Sequence, residues 1–307
     1  MTIYKPEGSL ISTASNISNL KSVSALYEAM NQGKILEAMA VTCDFNHNLI
    51  VDLGCMKGII PRVEAAIGID DGSVRDIAII SRVNKPTVFK ITEIKKDQNG
   101  NNYAVLSRKA VQLECKKYYI DSLSKGDIIP VTVTHLEPFG CFVDIGCGII
   151  SMIPIDFISV SRISHPSDRF YGGQNIYAVI KEIDQSGKIT LSHKELLGTW
   201  EENAQDFNIG ETVSGIIRSV EDYGIFVELT PNLAGLAEPR ENVYAGQSAS
   251  VYIKNIIPEK MKIKLIIVDS FNTDRVIKSP KYFKNSGHIN EFTYSPITSN
   301  KLVKTIF

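Results

Sequence analysis

The sequence predicts an all-β chain with linking helices, folded as three tandem five-stranded Greek-key barrels. A short pattern recurs, Phe139-Gly140-Cys141-Phe142-Val143-Asp144-Ile145-Gly146 and then Tyr223-Gly224-Ile225-Phe226-Val227-Glu228-Leu229, and such self-similarity marks a repeated structural unit. Within each copy, residue types alternate as they do in a half-buried strand. Around each copy lie five short β-rich segments bounded by turn residues, the signature of a small closed sheet.

The alternation sorts the side chains. Cys141, Val143 and Ile145 fall on one face and form the core, so Phe142 shares the solvent face with Asp144, as Phe226 does with Glu228. An aromatic held out in water needs a flat partner, and nucleic-acid bases supply one. The glycine between Phe139 and Phe142 permits a kink that aims both rings at one side.

The clearest unit spans 126–194. Its segments are 128–136, 141–145, 148–153, 176–183 and 189–192, with a polar insertion at 159–173 and the turn Asp184-Gln185-Ser186-Gly187 before the last. Five strands with an irregular insert between the third and fourth fit a barrel of the OB type. The last unit follows the same order, 210–220, 225–229, 234–238, 249–257 and 262–268, with its insert reduced to 239–246. The first keeps the frame through Ile50-Val51-Asp52-Leu53-Gly54, Lys57-Gly58-Ile59-Ile60-Pro61, 86–95 and 103–107. There His47 and Ile50 replace the two aromatics, so the stacking pair is gone. Helical stretches at 108–123 and 193–207 connect the units as semi-rigid spacers packed on the preceding barrel, with Trp200 as a packing anchor, and 20–34 forms an amphipathic helix before the first barrel, ended by Gly33. The division is thus an N-terminal segment with a helix (1–33), a degenerate barrel (34–109), a linker (110–123), a barrel (124–195), a linker (196–206), a barrel (207–269) and a basic tail (270–307).

Composition excludes several classes. No stretch approaches the roughly 20 apolar residues of a membrane span, and residues 1–20 are polar, so a cytoplasmic protein without a membrane partner is expected. The five cysteines contain no Cys-x-x-Cys pair and read as reduced core thiols. His47, His135, His165, His193 and His288 form no ligand-spaced pair, and no phosphate-binding loop, His-Glu-x-x-His or Gly-x-Ser-x-Gly motif occurs. Gly146-Cys147-Gly148 lacks the third glycine of a dinucleotide site. No enzyme activity, cofactor or metal is expected.

Net charge is −1 overall, with six basic against eight acidic residues in both 124–195 and 207–269, which argues against a wholly electrostatic nucleic-acid binder. Residues 270–307 carry six basic and two acidic residues; the plain reading of such a tail is a solvated segment, the sharper one a source of phosphate contacts.

The pattern Phe139-Gly-x-Phe142-Val-Asp-Ile-Gly, then Gly148-Ile-Ile, Gly173-Gln174 and Lys188-Ile189-x-Leu191-Ser192-x-Lys194 resembles the RNA-binding repeat of the bacterial ribosomal protein S-one family, the S1 repeat. The resemblance covers about residues 34–269 and is strongest in the middle. It implies OB barrels that bind single-stranded RNA, messenger RNA in particular, and contacts with proteins of the small ribosomal subunit. By that resemblance Phe139 and Phe142 form the stacking pair of the second barrel, with Lys181 and Lys188 near the RNA backbone. Tyr223 and Phe226 take the aromatic places in the third, with Lys254 and Lys262 as its basic residues. Where the family often has histidine, this chain reads as Pro61, Ser151 and Glu238; the serine can hydrogen-bond RNA, whereas the glutamate repels it. His165 is a further candidate contact from the barrel rim, with turn stabilisation as its plainer role. The first unit, lacking both aromatics, is expected to dock to protein. A protein-interaction scaffold and an RNA-presenting partner of a ribonuclease remain open alternatives.

Overall fold

The computed structural model describes residues 4–273, 277 and 279–307. Met1, Thr2, Ile3, Asp274, Arg275, Val276 and Lys278 lie outside the described residues, so the charges of the tail at 274, 275 and 278 do too. Contacts divide the chain into two compact units, Met1–Leu123 with Asp144–Ile150, and Ser124–Val143 with Ser151–Phe307.

In the first unit, α1 (Ala14–Leu20) and α2 (Val23–Asn31) begin at side-chain caps: Thr13 accepts from the Asn16 amide and Ser22 from that of Ala25. After Gly33, in the left-handed region at φ +60°, the chain enters β1 (Leu36–Cys43), β2 (Leu49–Asp52) and β3 (Lys57–Ile60). Next come the short α3 (Ile77–Ile80), β4 (Pro86–Lys96) and β5 (Asn102–Ser107). The strands close in the order β1-β2-β3-β5-β4, with β3 and β5 parallel, around Leu49, Val51, Ile60, Phe89 and Leu106. α4 (Arg108–Tyr118) packs on β4 and buries Val111 and Cys115. A buried charge cluster pins the N-terminal segment: Glu7 accepts from Arg108 Nε at 2.8 Å and pairs with Arg82 at 2.9 Å.

In the second unit, β6 (Ile128–Glu137), β7 (Gly140–Asp144), β8 (Ile150–Pro154), β9 (Asn175–Ile183) and β10 (Ile189–Ser192) form another closed barrel with the same strand order. Cys141, Val143, Ile153, Ala178, Ile180 and Leu191 are fully buried in it. The insert between β8 and β9 is less polar in practice than its composition suggests, because Phe170 is fully buried edge-on to His193 at 5.0 Å.

The linker that follows departs from the expected single helix. A 3₁₀ turn at Lys194–Leu197 stops at Gly198, and α5 covers only Trp200–Ala204. Gly198 sits at φ +85°, and a β-carbon there would lie 2.6 Å from the Phe283 ring, so the helix cannot run through. Thr199 and Glu202 then form a reciprocal capping box for α5. Trp200 is the packing anchor expected, but it joins the core of the third barrel rather than the preceding one.

β11 (Thr212–Glu221), β12 (Gly224–Thr230), β13 (Leu233–Ala237), β14 (Ser248–Ile257) and β15 (Lys262–Phe271) close the third barrel in the same order. Within this unit the two barrels are joined by buried polar contacts. Val160 N–H donates to Asn232 Oδ1 at 3.0 Å, Asn232 Nδ2 donates to the Lys194 and Gly198 carbonyls at 2.8 and 2.9 Å, and Arg169 and Arg218 converge on Glu228.

The tail corrects the plain reading of a solvated segment. The Tyr282 hydroxyl accepts from the Tyr177 amide at 3.1 Å, Ile289 packs on Ile128, Val179 and Leu196, and Tyr294 enters the third core while its hydroxyl donates to the Asn232 carbonyl. β16 (Glu291–Thr293) and β17 (Lys304–Ile306) pair antiparallel. Its apolar residues follow no helical or strand period, so the charge excess hid a strap across two barrels.

Candidate nucleic-acid interface

The aromatic pairs arise from one backbone constraint. A β-carbon on Gly140 would lie 2.7 Å from the Ile153 carbonyl oxygen, and one on Gly224 would lie 2.7 Å from that of Ala237. Only glycine lets the second strand approach the third this closely. The rings flanking that contact then meet edge to face: Phe139 and Phe142 at 6.0 Å and 90°, Tyr223 and Phe226 at 6.2 Å and 86°. Phe139 is 56% and Tyr223 68% exposed, while Phe142 and Phe226 are half-buried on the outer face. Two separate sequences thus build the same two-ring ledge, with each strand's alternate residues, Cys141 and Val143 or Ile225 and Val227, wholly buried beneath.

Strand register extends the ledge into a row. In the third barrel Ser219 pairs with Phe226, Phe226 with Leu236 and Leu236 with Lys264. In the first the corresponding row is Thr42, Ile50, Ile59 and Val105. In the second, Met152 pairs with Thr190, and the glycine-to-carbonyl contact puts Ile153 where Ala237 stands, hence Met152 where Leu236 does. The row is aromatic at its centre in the second and third barrels and wholly aliphatic there in the first. His47, at the position of Phe139, has φ +61° and lies 3.6 Å from Asp76.

Two expectations are corrected. Asp144 and Glu228 do not share solvent with their aromatic neighbours; they are 3% and 5% exposed. Asp144 accepts backbone N–H bonds from Glu7, Gly146 and Gly148 at 2.8–3.0 Å, and Glu228 takes Arg218 Nε at 2.7 Å together with Arg169. Strand alternation specifies the face of the sheet but not what covers its far end. Ser151 is the second correction. It is buried, and its hydroxyl donates to the Ile189 carbonyl at 2.7 Å, so it points into the barrel. In register it matches Gly58 and Gly235, and the residue matching Pro61 and Glu238 is Pro154. Pro61 and Pro154 each lead into a 3₁₀ turn. Gly148, aligned with Gly58 and Gly235 in the sequence reading, lies in the turn before β8 at φ +75°, three residues ahead of Ser151, and this displaced the motif by three positions.

The remaining candidates differ in availability. The His165 ring nitrogen Nδ1 accepts from the Ser167 amide at 3.1 Å and caps a 3₁₀ turn at Pro166–Asp168. Lys181 lies on β9 with its Nζ 5.2 Å from the centre of the Phe307 ring. Lys188 is exposed at the start of β10, its amide donating to Asp184. Lys254 pairs with Glu238 at 3.2 Å, which neutralises the acid that seemed to disfavour the third barrel. Lys262 is exposed on β15.

Sequence reasoning missed two members of the surface. His135 stacks on Phe142 at 6.5 Å and 26°, with Nε2 2.7 Å from Glu137; its place on the preceding strand, seven residues before Phe142, gave no signal without a register. Lys264 was passed over for the same reason. Of the cysteines, Cys115, Cys141 and Cys147 are buried, and burial pushes the Cys141 thiol up to about 12, as befits a core residue. Cys43 is half-buried and Cys55 exposed, both outside that reading.

Residues 122–194, the second barrel with its ledge, match the S1 RNA binding domain family. The small ribosomal subunit protein bS1 homolog of Bacillus cereus is 29% identical over 296 residues, which cover 91% of this chain and 74% of that protein. The small ribosomal subunit protein bS1 of Staphylococcus aureus is 30% identical over 290 residues, covering 89% of this chain and 71% of that protein. The shared stretch takes in all three barrels with their linkers, and on that likeness the chain belongs to the small ribosomal subunit protein bS1 family.

Proposed function

We propose that the chain is a non-enzymatic single-stranded RNA-binding protein of translation that holds messenger RNA at the small ribosomal subunit. The recurrence of the same edge-to-face ledge in two barrels carries this reading: an exposed ring backed by a half-buried one stacks any base, so binding is largely sequence-tolerant. Phe139, Phe142 and His135 make the second barrel the main platform, with Lys188 beside it at the strand end. Tyr223 and Phe226, with Lys262 exposed on β15, make the third an auxiliary one, Lys254 being engaged by Glu238. Lys181 and His165 contribute at most from the rim, being engaged by Phe307 and by the 3₁₀ turn. The aliphatic row of the first barrel suits protein docking, and the relatives named for the small ribosomal subunit supply the partner.

The test is fluorescence anisotropy of a labelled single-stranded RNA against the intact chain and a Phe139→Ala/Phe142→Ala variant. Weaker binding by the variant is expected; equal binding by both would move the site elsewhere. Sedimentation with small subunits, with and without residues 1–110, tests the docking role, which retention by the shortened chain would overturn. A protein scaffold without RNA is the outcome if the intact chain binds no RNA.

A further inference from the structure

Lysines on the outer faces of the second and third barrels are not equally available. Lys181 is covered by the Phe307 ring and Lys254 is paired with Glu238. Among the described residues neither Lys262 nor Lys264 has an acidic partner within 4.0 Å, and both are exposed on β15. Only Lys264 lies in the aromatic row, beside Leu236, which itself pairs with Phe226. Two ladder steps place its backbone about 10 Å from that of Phe226, and its side chain extends over the same face of the sheet into part of that gap, where the phosphate of a base stacked on the ring would lie. The same position holds Thr190 in the second barrel and Val105 in the first.

Resting on the RNA reading above, we propose that Lys264 is the phosphate-contacting residue of the third barrel, and that the end of this cross-strand row sets how much of each barrel's RNA affinity is electrostatic. The second barrel then binds chiefly by stacking, with His135 at the opposite side of Phe142 and an uncharged Thr190 closing the row. The third adds a salt-sensitive contact that its near-neutral composition conceals, because Glu238 is already cancelled by Lys254. The corresponding row of the first barrel, Thr42, Ile50, Ile59 and Val105, offers neither ring nor charge.

Salt dependence isolates this term, since each phosphate neutralised on a single strand contributes a slope of about −0.7 to the plot of log affinity against log salt. Binding of a labelled oligouridylate is measured across a salt series for the intact chain, Lys264→Ala, Lys264→Arg, Thr190→Lys and Tyr223→Ala/Phe226→Ala. Lys264→Ala is expected to flatten the slope by about 0.7, Lys264→Arg to restore it and Thr190→Lys to steepen it by a similar amount. An unchanged slope in Lys264→Ala, with binding still weakened by Tyr223→Ala/Phe226→Ala, overturns the assignment while leaving the RNA reading intact. No binding by the intact chain at any salt removes both. Lys264 is exposed, so its replacement leaves the barrel core untouched.

Discussion

The Phe139 ring meets that of Phe142 edge-on at 6.0 Å and 90°, and the Tyr223 ring meets that of Phe226 at 6.2 Å and 86°. Two strands with different side chains converge on one arrangement because a glycine between the rings abuts the carbonyl of the following strand in each barrel. The ledge is therefore a product of backbone packing, and the rings occupy positions the fold prepares.

Replacing both rings of a ledge by alanine removes stacking worth about 1–3 kcal/mol per base. Phe139→Ala/Phe142→Ala is expected to weaken RNA binding by about 5- to 150-fold for one lost base at that rate, with a smaller loss for Tyr223→Ala/Phe226→Ala if the third barrel is auxiliary. Thermal unfolding followed by circular dichroism should move little for the single change Phe139→Ala, since that ring is 56% exposed.

Gly140→Ala should be far more damaging than its one methyl group suggests. The new carbon would stand 2.7 Å from the Ile153 carbonyl oxygen, and accommodating it costs about 1–3 kcal/mol as overpacking. Urea denaturation reads the loss directly, and weaker RNA binding should accompany it because the strand carrying Phe139 and Phe142 must shift.

The buried junction in the second unit depends on Glu228, which serves Arg169 and Arg218 while Arg218 also meets Asp168 at 3.2 Å. Glu228→Ala leaves guanidinium groups that are 8% exposed without their shared carboxylate, and breaking a buried pair in this way costs about 3–5 kcal/mol. Glu238→Gln, breaking only the exposed pair with Lys254, should cost less than about 1 kcal/mol. Denaturant midpoints of the two variants, measured side by side, check the contrast.

Acid should destabilise the second unit through His193. Burial holds this imidazole down to about 4, with Arg169 adding to the effect, while Nδ1 bonds the Ile158 carbonyl at 2.9 Å and Nε2 the Tyr282 hydroxyl at 3.1 Å. Its folded pKa lies below the unfolded value, so the unfolded chain takes up the proton first as pH falls. The associated stability is complete above about 6.5 and is lost toward pH 4, a decrement of about 2 kcal/mol by pH 5. His288, raised by its hydrogen bond to Asp127, acts in the opposite sense and loses its contribution as pH rises through its folded pKa. Denaturation at pH 7 and pH 5 of the intact chain and His193→Asn separates the two, the variant being expected to show the smaller drop.

Much of the architecture was legible in advance because its cause is local. The alternation Cys141, Phe142, Val143 encodes a strand with one buried face, the five-segment spacing encodes the closed sheet, and the repeat announces that it is built more than once. Ser151 was misplaced by three positions because strand pairing, not distance from a glycine, decides which residue lies on the face of the aromatic ledge. Lys264 and His135 were invisible for the same reason. Their relation to Phe226 and Phe142 is a cross-strand one, and strands adjacent in space are separated in the chain by loops of variable length.

By itself the sequence determined the barrels, their number, the absence of a ring pair in the first and the location of both aromatic ledges, since all of these follow from periodicity and residue type within a dozen positions. Only the tertiary structure decided that Asp144 and Glu228 are buried, that the basic tail straps two barrels through Tyr282, Ile289 and Tyr294, and that Lys181 and Lys254 are occupied while Lys264 stands exposed in the row of Phe226, two strands away. Those properties depend on which surfaces come to cover one another, and burial between segments far apart in the chain leaves no period in the sequence to read.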